Sequence, residues 1–516
     1  MEYRIGIDVG GTNTDAVIVD ENRQIIERVK VPTTKDVSTG IFEALFKVLE
    51  QSKVERKEIK YAMLGTTHAT NAIAERKGLY KTAVIRIGKP ATEAIAPLVG
   101  WPKDLVEAVG SYYYLIEGGN EFDGREISPL AEEDLRKIAR DIKGKVDSVA
   151  VVSVFSPVSN KHEIRAKEIL QEVLGEIPIS LSHEIGSLGL LERENATVLN
   201  ATLVGVAKTV VDSFKKALTK EGLENAKIYL CQNDGTLMSI EYAMKYPVLT
   251  IASGPTNSIR GAGFLSKLEN ALVLDIGGTT SDVGVISQGF PRESSIAVEI
   301  GGVRTNFRMP DLISIALGGG TIIKEENGEI KIGPQSVGSR ITEEALVFGG
   351  NTLTATDIAV RLGLAEVGIK ERVKDIPFEF AQKVHNKIQE MINEAVDKMK
   401  ISKDPQPLIL VGGGSIIVGN RIEGVSEIVK PENFEVANAI GAAIAQVSGE
   451  VDRIYSLNGM SREEALNDAK QRAINEAIQA GANPETVEVV YVEDIPLAYL
   501  PGNAIRIRVK AAGDLI

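Results

Sequence analysis

The chain of 516 residues holds one cysteine, Cys231, and four histidines, His68, His162, His183 and His385. A lone cysteine excludes a disulfide framework, a zinc site of several cysteines and a cysteine-ligated iron–sulfur cluster within one chain. No two histidines stand at metal-ligand spacing, so a protein zinc site is not expected either. Cys231, closing the apolar run "KIYLC", reads as a buried small hydrophobe. Also missing is any run of about 18 apolar residues, the length that crosses a bilayer. No basic and apolar leader precedes the first strand-like segment at residue 4. Neither membrane insertion nor a signal peptide is expected, and a reducing cytoplasm is the natural home. Clustered Lys and Arg are absent as well. With 58 basic against 71 acidic residues and a net charge of -13, nucleic acid is not an expected partner, because phosphates demand concentrated positive charge.

What is present is a duplicated turn. "RIGIDVGGTNTDAVIVD" at 4 to 20 returns as "LVLDIGGTTSDVGVI" at 272 to 286, at an offset of 267. Asp8 then falls on Asp275, Gly10 and Gly11 on Gly277 and Gly278, Thr12 on Thr279, and Asp15 on Asp282. In a P-loop or dinucleotide fingerprint the glycines open a helix. Here an apolar, strand-like run follows each turn, so each copy is strand, turn, strand. Glycines let successive backbone N–H groups approach an anion, and Thr12, Asn13, Thr14, Thr279, Thr280 and Ser281 add donors. Such turns suit phosphate. A carboxylate beside phosphate is repelled unless a divalent cation lies between them or the carboxylate handles a nucleophile's proton. Asp8, Asp275 and Asp282 are therefore the candidate catalytic groups, with Asp8 and Asp275 the candidate magnesium ligands.

A third glycine turn, "LILVGGGSIIV" at 408 to 418, places Gly412, Gly413, Gly414 and Ser415 after another buried-strand run. In "ANAIGAAIA", 437 to 445, Ala437, Ile440, Gly441 and Ile444 share one helical face of small residues, which lets a helix cross a neighbour closely. Two phosphate turns, a third strand–glycine turn and a small-residue helix, in that order, resemble the actin-like ATPase superfamily. That resemblance implies a two-lobed α/β fold with duplicated ribonuclease H-like lobes. Both hairpins would clamp ATP with Mg2+, the third turn would pack on adenosine, and the small-residue helix would lie at the hinge. Within the superfamily the chain resembles the hydantoinase A/oxoprolinase family. The motifs are the opening turn, "LGTTHATNAIAERKG" at 64 to 78, "LSHEIGSLGLLERENATVLNATL" at 181 to 203, "QNDGTLMS" at 232 to 239, "SGPTNSIRGA" at 253 to 262, the second turn, and "LGGGTI" at 317 to 322.

The resemblance implies an N-terminal lobe over 1–190, a second lobe over 191–450, and a small α/β tail over 451–516 with a helix near 461 to 480 and two short strands. It implies transfer of the ATP γ-phosphoryl group to the carbonyl oxygen of a cyclic amide (a hydantoin, 5-oxoproline or a related lactam) to drive ring opening. Thr67, His68 and Asn71 are candidates for binding that substrate. A hydantoinase B-like second chain is the usual arrangement in the family, and a homo-oligomer is left open. Leu64 stands where the family usually has histidine, and Leu312 and Ile313 follow Asp311 where it often has Ile-His. These departures fall around the acceptor region, so the sequence does not name the substrate. A small-molecule kinase and a nucleotide-driven regulatory or chaperone-like ATPase remain as alternatives.

Overall fold

The computed structural model describes residues 2–34, 37–294, 296–400, 402–500 and 503–515. Its first core sheet begins with β1 (Tyr3–Val9), β2 (Asn13–Asp20), β3 (Ile25–Pro32), β4 (Ile59–Thr66) and β5 (Lys227–Cys231). They lie in the order β3-β2-β1-β4-β5, the first two pairings antiparallel and the last two parallel. The second sheet repeats this with β7 (Ala271–Ile276), β8 (Ser281–Ser287), β9 (Phe290–Pro291), β10 (Gln406–Val411) and β11 (Val425–Val429). Its order is β9-β8-β7-β10-β11, with the same directions. The sequence repeat is thus a repeat of architecture, and it extends to register. Asp8 pairs with Asp15 across the first hairpin, and Asp275 with Asp282 across the second.

The central strands read as near-continuous apolar runs because both faces are covered. Behind the first sheet, α1 (Val37–Ser52) and the C-terminal half of α4 (Leu190–Lys220) bury Ile41, Leu45, Leu49, Val210 and Phe214 against Ile5, Ile7 and Ile18. Helix α4 has 31 residues, about 46 Å at 1.5 Å per residue. Its first half packs on an inserted parallel sheet formed by residues 82–89, 112–117, 148–153 and 179–181. There Arg86 and Glu194, both fully buried, make a two-pronged ion pair at 2.6 and 2.8 Å. Two short elements in this region matter below, α2 (His68–Glu75) and α3 (Lys161–Leu174).

Between the two core sheets lie α5 (Ser253–Ser266) and α6 (Ala437–Ile444). Val17 and Val19 of β2 pack on Ala439, Ile440 and Ala443 of α6, while Ile259 and Ala262 of α5 pack on Val273 and Ile409 of the second sheet. The helices cross at glycines. A Cβ on Gly441 would lie 1.9 Å from the Asn257 carbonyl oxygen, and one on Gly261 1.8 Å from that of Ala437. The small-residue face read from the sequence is therefore a backbone-to-backbone crossing.

The C-terminal region carries more strand than its sequence indicates. After β6 (Leu237–Ser239) extends the first sheet, β12 (Val447–Ser456), β13 (Glu488–Pro496) and β14 (Ala504–Gly513) continue it in the order β13-β14-β12-β6. Their alternation is masked by charged residues on the outer face, such as Asp452, Arg506 and Arg508. The helix appears where expected, as α7 (Arg462–Gln479), with Ala465, Ala469, Ala473 and Ala477 forming its buried stripe. Sheet membership thus joins residues 227–239 and 447–513 to the opening strands, whereas boundaries at 190 and 450 follow chain order.

Gly441→Ala should lower the denaturation midpoint, because even one methyl group separates two helix backbones, an overpacking cost of about 1–3 kcal/mol or more. Gly459→Ala, where an added Cβ meets nothing within 4 Å, should stay near wild type in the same urea titration.

Candidate functional site

Each hairpin turn closes in the same way. Gly10 N–H donates to Asn13 O at 3.0 Å and Gly277 N–H to Thr280 O at 2.9 Å. The tips meet across the cleft, where Thr12 Oγ1 and Thr279 Oγ1 are 3.1 Å apart. Thr33 braces the first turn from outside, donating its hydroxyl to Gly10 O at 2.8 Å and its N–H to Thr12 O at 2.9 Å. The second is braced by the glycines of "LGGGTI": Gly319 N–H donates to Gly277 O at 3.0 Å and Gly320 N–H to Gly278 O at 2.7 Å.

Asp8 ends its strand buried, held from both interlobe helices. Asn257 of α5 donates to its Oδ1 at 2.9 Å, and Asn438 of α6 to its Oδ2 at 3.1 Å. The same Asn438 amide donates to Asp15 Oδ2 at 2.9 Å, and Lys30 Nζ lies 2.7 Å from Asp15 Oδ1. Only glycine fits opposite, since a Cβ on Gly65 would lie 2.2 Å from Asp8 Oδ1. In the second lobe Ser258, the neighbour of Asn257, hydrogen-bonds Asp275, and Ser314 donates to Asp282. Consecutive residues of α5 thus hold the two duplicated aspartates, one from each lobe.

These carboxyl groups are hard to ionise. Burial pushes Asp8 up to about 6 against the pull of its two amide donors, with Asp15 adding to the rise. Burial likewise raises Asp15 despite Lys30, and Asp275 despite Ser258. Asp282 is pushed up to about 7 by burial, with Asp275 adding to it. The site is short of positive charge, the condition a cation or bound protons would relieve.

The third turn joins this cluster. A Cβ on Gly412 would lie 2.3 Å from Asp275 Oδ1, and one on Gly414 2.3 Å from Gly277 O, so close approach requires both glycines. Added Cβ atoms on Gly11 and Gly413 would meet nothing within 4 Å, and Ser415 Oγ is buried without a hydrogen-bond partner. Thr67 also belongs here, donating to Val9 O at 3.2 Å, and Asn71 caps it from an exposed position at 3.4 Å. Two candidates point elsewhere. Thr14 is buried with its hydroxyl 3.3 Å from Thr33 Oγ1, because alternation along β2 turns it from the cleft. His68 bonds Thr66 and lines a cavity of about 10 Å³ with Leu203, Val206 and Ala207 of α4. Burial lowers its affinity for a proton. Sequence reasoning missed Asn257, Asn438, Lys30, Thr33, Ser258 and Ser314. The only local signal was an asparagine inside each small-residue helix. Among the described residues no group of three or more His, Cys, Asp or Glu forms a metal cage, and no helix is long and apolar enough to cross a membrane.

Two like lobes, each presenting a strand–turn–strand glycine hairpin to a common cleft, define an actin-like ATPase fold built from duplicated ribonuclease H-like lobes. The chain belongs to the hydantoinase/oxoprolinase family: residues 4–174 match its N-terminal region model and residues 193–367 the model described as hydantoinase/oxoprolinase. It is 28% identical to an uncharacterized protein of Methanocaldococcus jannaschii, over 100% of this chain and 83% of that one. It is 30% identical to the acetophenone carboxylase gamma subunit of Aromatoleum aromaticum, over 70% of this chain and 53% of the relative, about half its length. Among solved structures the ATP-dependent caprolactamase of Pseudomonas jessenii superposes with a TM-score of 0.77 at 18% identity, covering 99% of this chain and 87% of that one.

The raised Asp282 carboxyl has a measurable consequence. The unfolded chain ionises it near pH 4, the folded one at about 7, so its ionisation costs stability increasingly across that window. Asp282→Asn keeps an oxygen for Ser314. It should raise the melting temperature, with a gain that grows from about pH 4 to about pH 7 and is level above. A gain independent of pH would show that the carboxyl is not raised.

Proposed function

We propose that the protein is the ATP-using component of a cyclic amide hydrolase, transferring the γ-phosphoryl group of ATP to the carbonyl oxygen of a hydantoin, 5-oxoproline or related lactam. The observation that carries this reading is the meeting of two duplicated phosphate turns at Thr12 and Thr279, with Asp8 and Asp275 behind them. ATP fits the chemistry of the cleft. Gly10, Gly11, Thr12 and Asn13 offer one cradle, and Gly277, Gly278, Thr279 and Thr280 the other. The bare faces of Gly11 and Gly413 and the unpartnered Ser415 hydroxyl leave places for the nucleotide.

Magnesium fits as well, since among the described residues the four aspartates raised by burial face Lys30 alone as a close cation. Asp8 and Asp275 would hold it, and it would supply charge neutralisation between carboxylate and phosphate. The protein's part is positioning: Asn257 and Asn438 fix Asp8, Ser258 fixes Asp275, and Asp282, titrating near neutrality, is suited to accept or return a proton. An amide oxygen leaves poorly until it bears phosphate, which gives the ATP a purpose, and closing the hairpins excludes water from the transfer. The subunit names of the carboxylase and of a Pseudomonas jessenii caprolactamase subunit alpha support a second, hydantoinase B-like chain as a partner. A cytoplasmic setting supplies the ATP.

Magnesium-ATP should raise the melting temperature, since ligand at 100 times its Kd adds about 2.7 kcal/mol. No shift with millimolar nucleotide refutes the reading. ADP release should respond to one of a panel of hydantoins, 5-oxoproline and other lactams, with or without a partner chain. Asp8→Ala and Asp275→Ala should each abolish that turnover while the protein remains folded. A stable phosphate ester as product would identify a kinase instead.

A further inference from the structure

A groove of about 1370 Å³ lies between the inserted sheet, the turn after β5 and the C-terminal strands. Gln232 lines it, and the Gln232 carbonyl accepts the hydroxyl of Thr256 at 3.3 Å. Thr256 is the neighbour of Asn257, which holds Asp8. The cations of the groove are matched by anions. Arg308 lies 3.3 Å from the buried Asp234, Lys510 also contacts Asp234, and Arg508 lies 2.6 Å from both Glu293 and Glu450.

His183 faces this groove from the turn after the edge strand at 179–181. Its Nδ1 lies 2.5 Å from Oε2 of Glu163 on α3, and its backbone N–H donates to the same oxygen at 3.0 Å. Glu163 is fully buried, and its Oε1 accepts from Ser153 N–H at 2.8 Å and from the Ser182 hydroxyl. Arg193, also fully buried, locks the turn by donating to Ser182 Oγ at 3.0 Å and Ser153 O at 2.8 Å. Burial opposes ionisation of Glu163, but the donors from His183 and Ser182 outweigh it and hold the carboxyl below its usual range. An ionised Glu163 accepts the proton of Nδ1, and a neutral ring held in this way carries its lone pair on Nε2. His162 shows what a structural histidine does here. Its Nδ1 accepts from Gly119 N–H and its Nε2 pairs with Glu126, both at 2.9 Å, so both ring nitrogens are spent.

We propose that His183, oriented by Glu163, is the proton-transferring catalytic residue of this groove, acting on the phosphate-activated cyclic amide. This rests on the function proposed above. After phosphorylation of the amide oxygen, an O–H bond of water breaks and its proton passes to Nε2. The water oxygen bonds to the imidate carbon, and the C=N π pair moves to the ring nitrogen. Nε2 then delivers the proton to that nitrogen. The C–N bond of the adduct breaks as its hydroxyl oxygen forms the C=O bond, and the hydroxyl proton passes to the departing amine. A second water hydrolyses the acyl phosphate to carboxylate and inorganic phosphate, so His183 ends as it began and nothing is oxidised or reduced.

The test separates the two half-reactions. With an accepted lactam, His183→Gln should keep ATP affinity by calorimetry and still form ADP, while ring-opened product falls about 100-fold or more, the usual weight of a general base. Imidazole should restore product to His183→Gly. Loss of ADP and product in parallel, or product unchanged, overturns the proposal. Where His183→Gln does not fold, Glu163→Gln should show the same uncoupling of ADP from product, and coupled turnover in that variant overturns the proposal. Should wild type use no lactam at all, the functional reading fails by itself, and diethylpyrocarbonate still decides on His183. Rapid, groove-ligand-independent carbethoxylation of His183 with His162 spared is expected, and an unreactive His183 refutes its free Nε2.

Discussion

The structure depends on one contact, the crossing of α5 and α6, where two helices touch backbone to backbone at Gly261 and Gly441. Each helix covers the inner face of one core sheet, so this crossing sets how closely the two sheets approach. Because no side chains intervene, Asn257 and Asn438 lie close enough to reach a single carboxylate from two sides. A wider crossing would leave Asp8 buried with unmet acceptors, a cost of about 1–3 kcal/mol for each neutral group and more for a charged one. Packing and chemistry therefore meet in the same few atoms.

Electrostatics follows from that geometry. Four aspartates occupy the strand ends where the lobes face one another, and burial raises all of them, two to about 6 and about 7. A fold optimised for stability alone would not gather them here with Lys30 as the close cation. Their cost is intelligible where anionic phosphate and its counter-ion arrive together, and perturbed carboxyl groups in a cleft are a mark of function.

How much was legible in the sequence depended on the range of the interactions. The hairpins were legible because the glycines, the flanking apolar runs and the paired aspartates are all local, and because the motif appears twice. The crossing was legible from the small-residue face of 437–445. Asn257 and Asn438 were not, since their meaning lies in contacts to Asp8 across 249 and 430 residues of chain. Thr14 and His68 misled for a related reason. Sequence proximity to a turn does not say which face a strand residue takes, and β2 alternates Thr14 away while α2 turns His68 toward α4. The C-terminal strands were under-read because one of their faces is charged, and pairing to β6 makes them one end of a nine-stranded sheet.

That continuous sheet has a consequence for biogenesis. The strand at residues 3–9 leaves the ribosome long before its sheet partners at 447–456 and 504–513. Until then β6 presents an open edge, with unpaired N–H and C=O groups that any extended chain can join. The second lobe can complete its strands by residue 429, earlier than the lobe that began first. Synthesis thus runs in an inverted order, in which the N-terminal lobe waits for the C-terminal strands to seal its edge. Such long-range closure is slow and leaves the nascent protein dependent on protection from association during that interval.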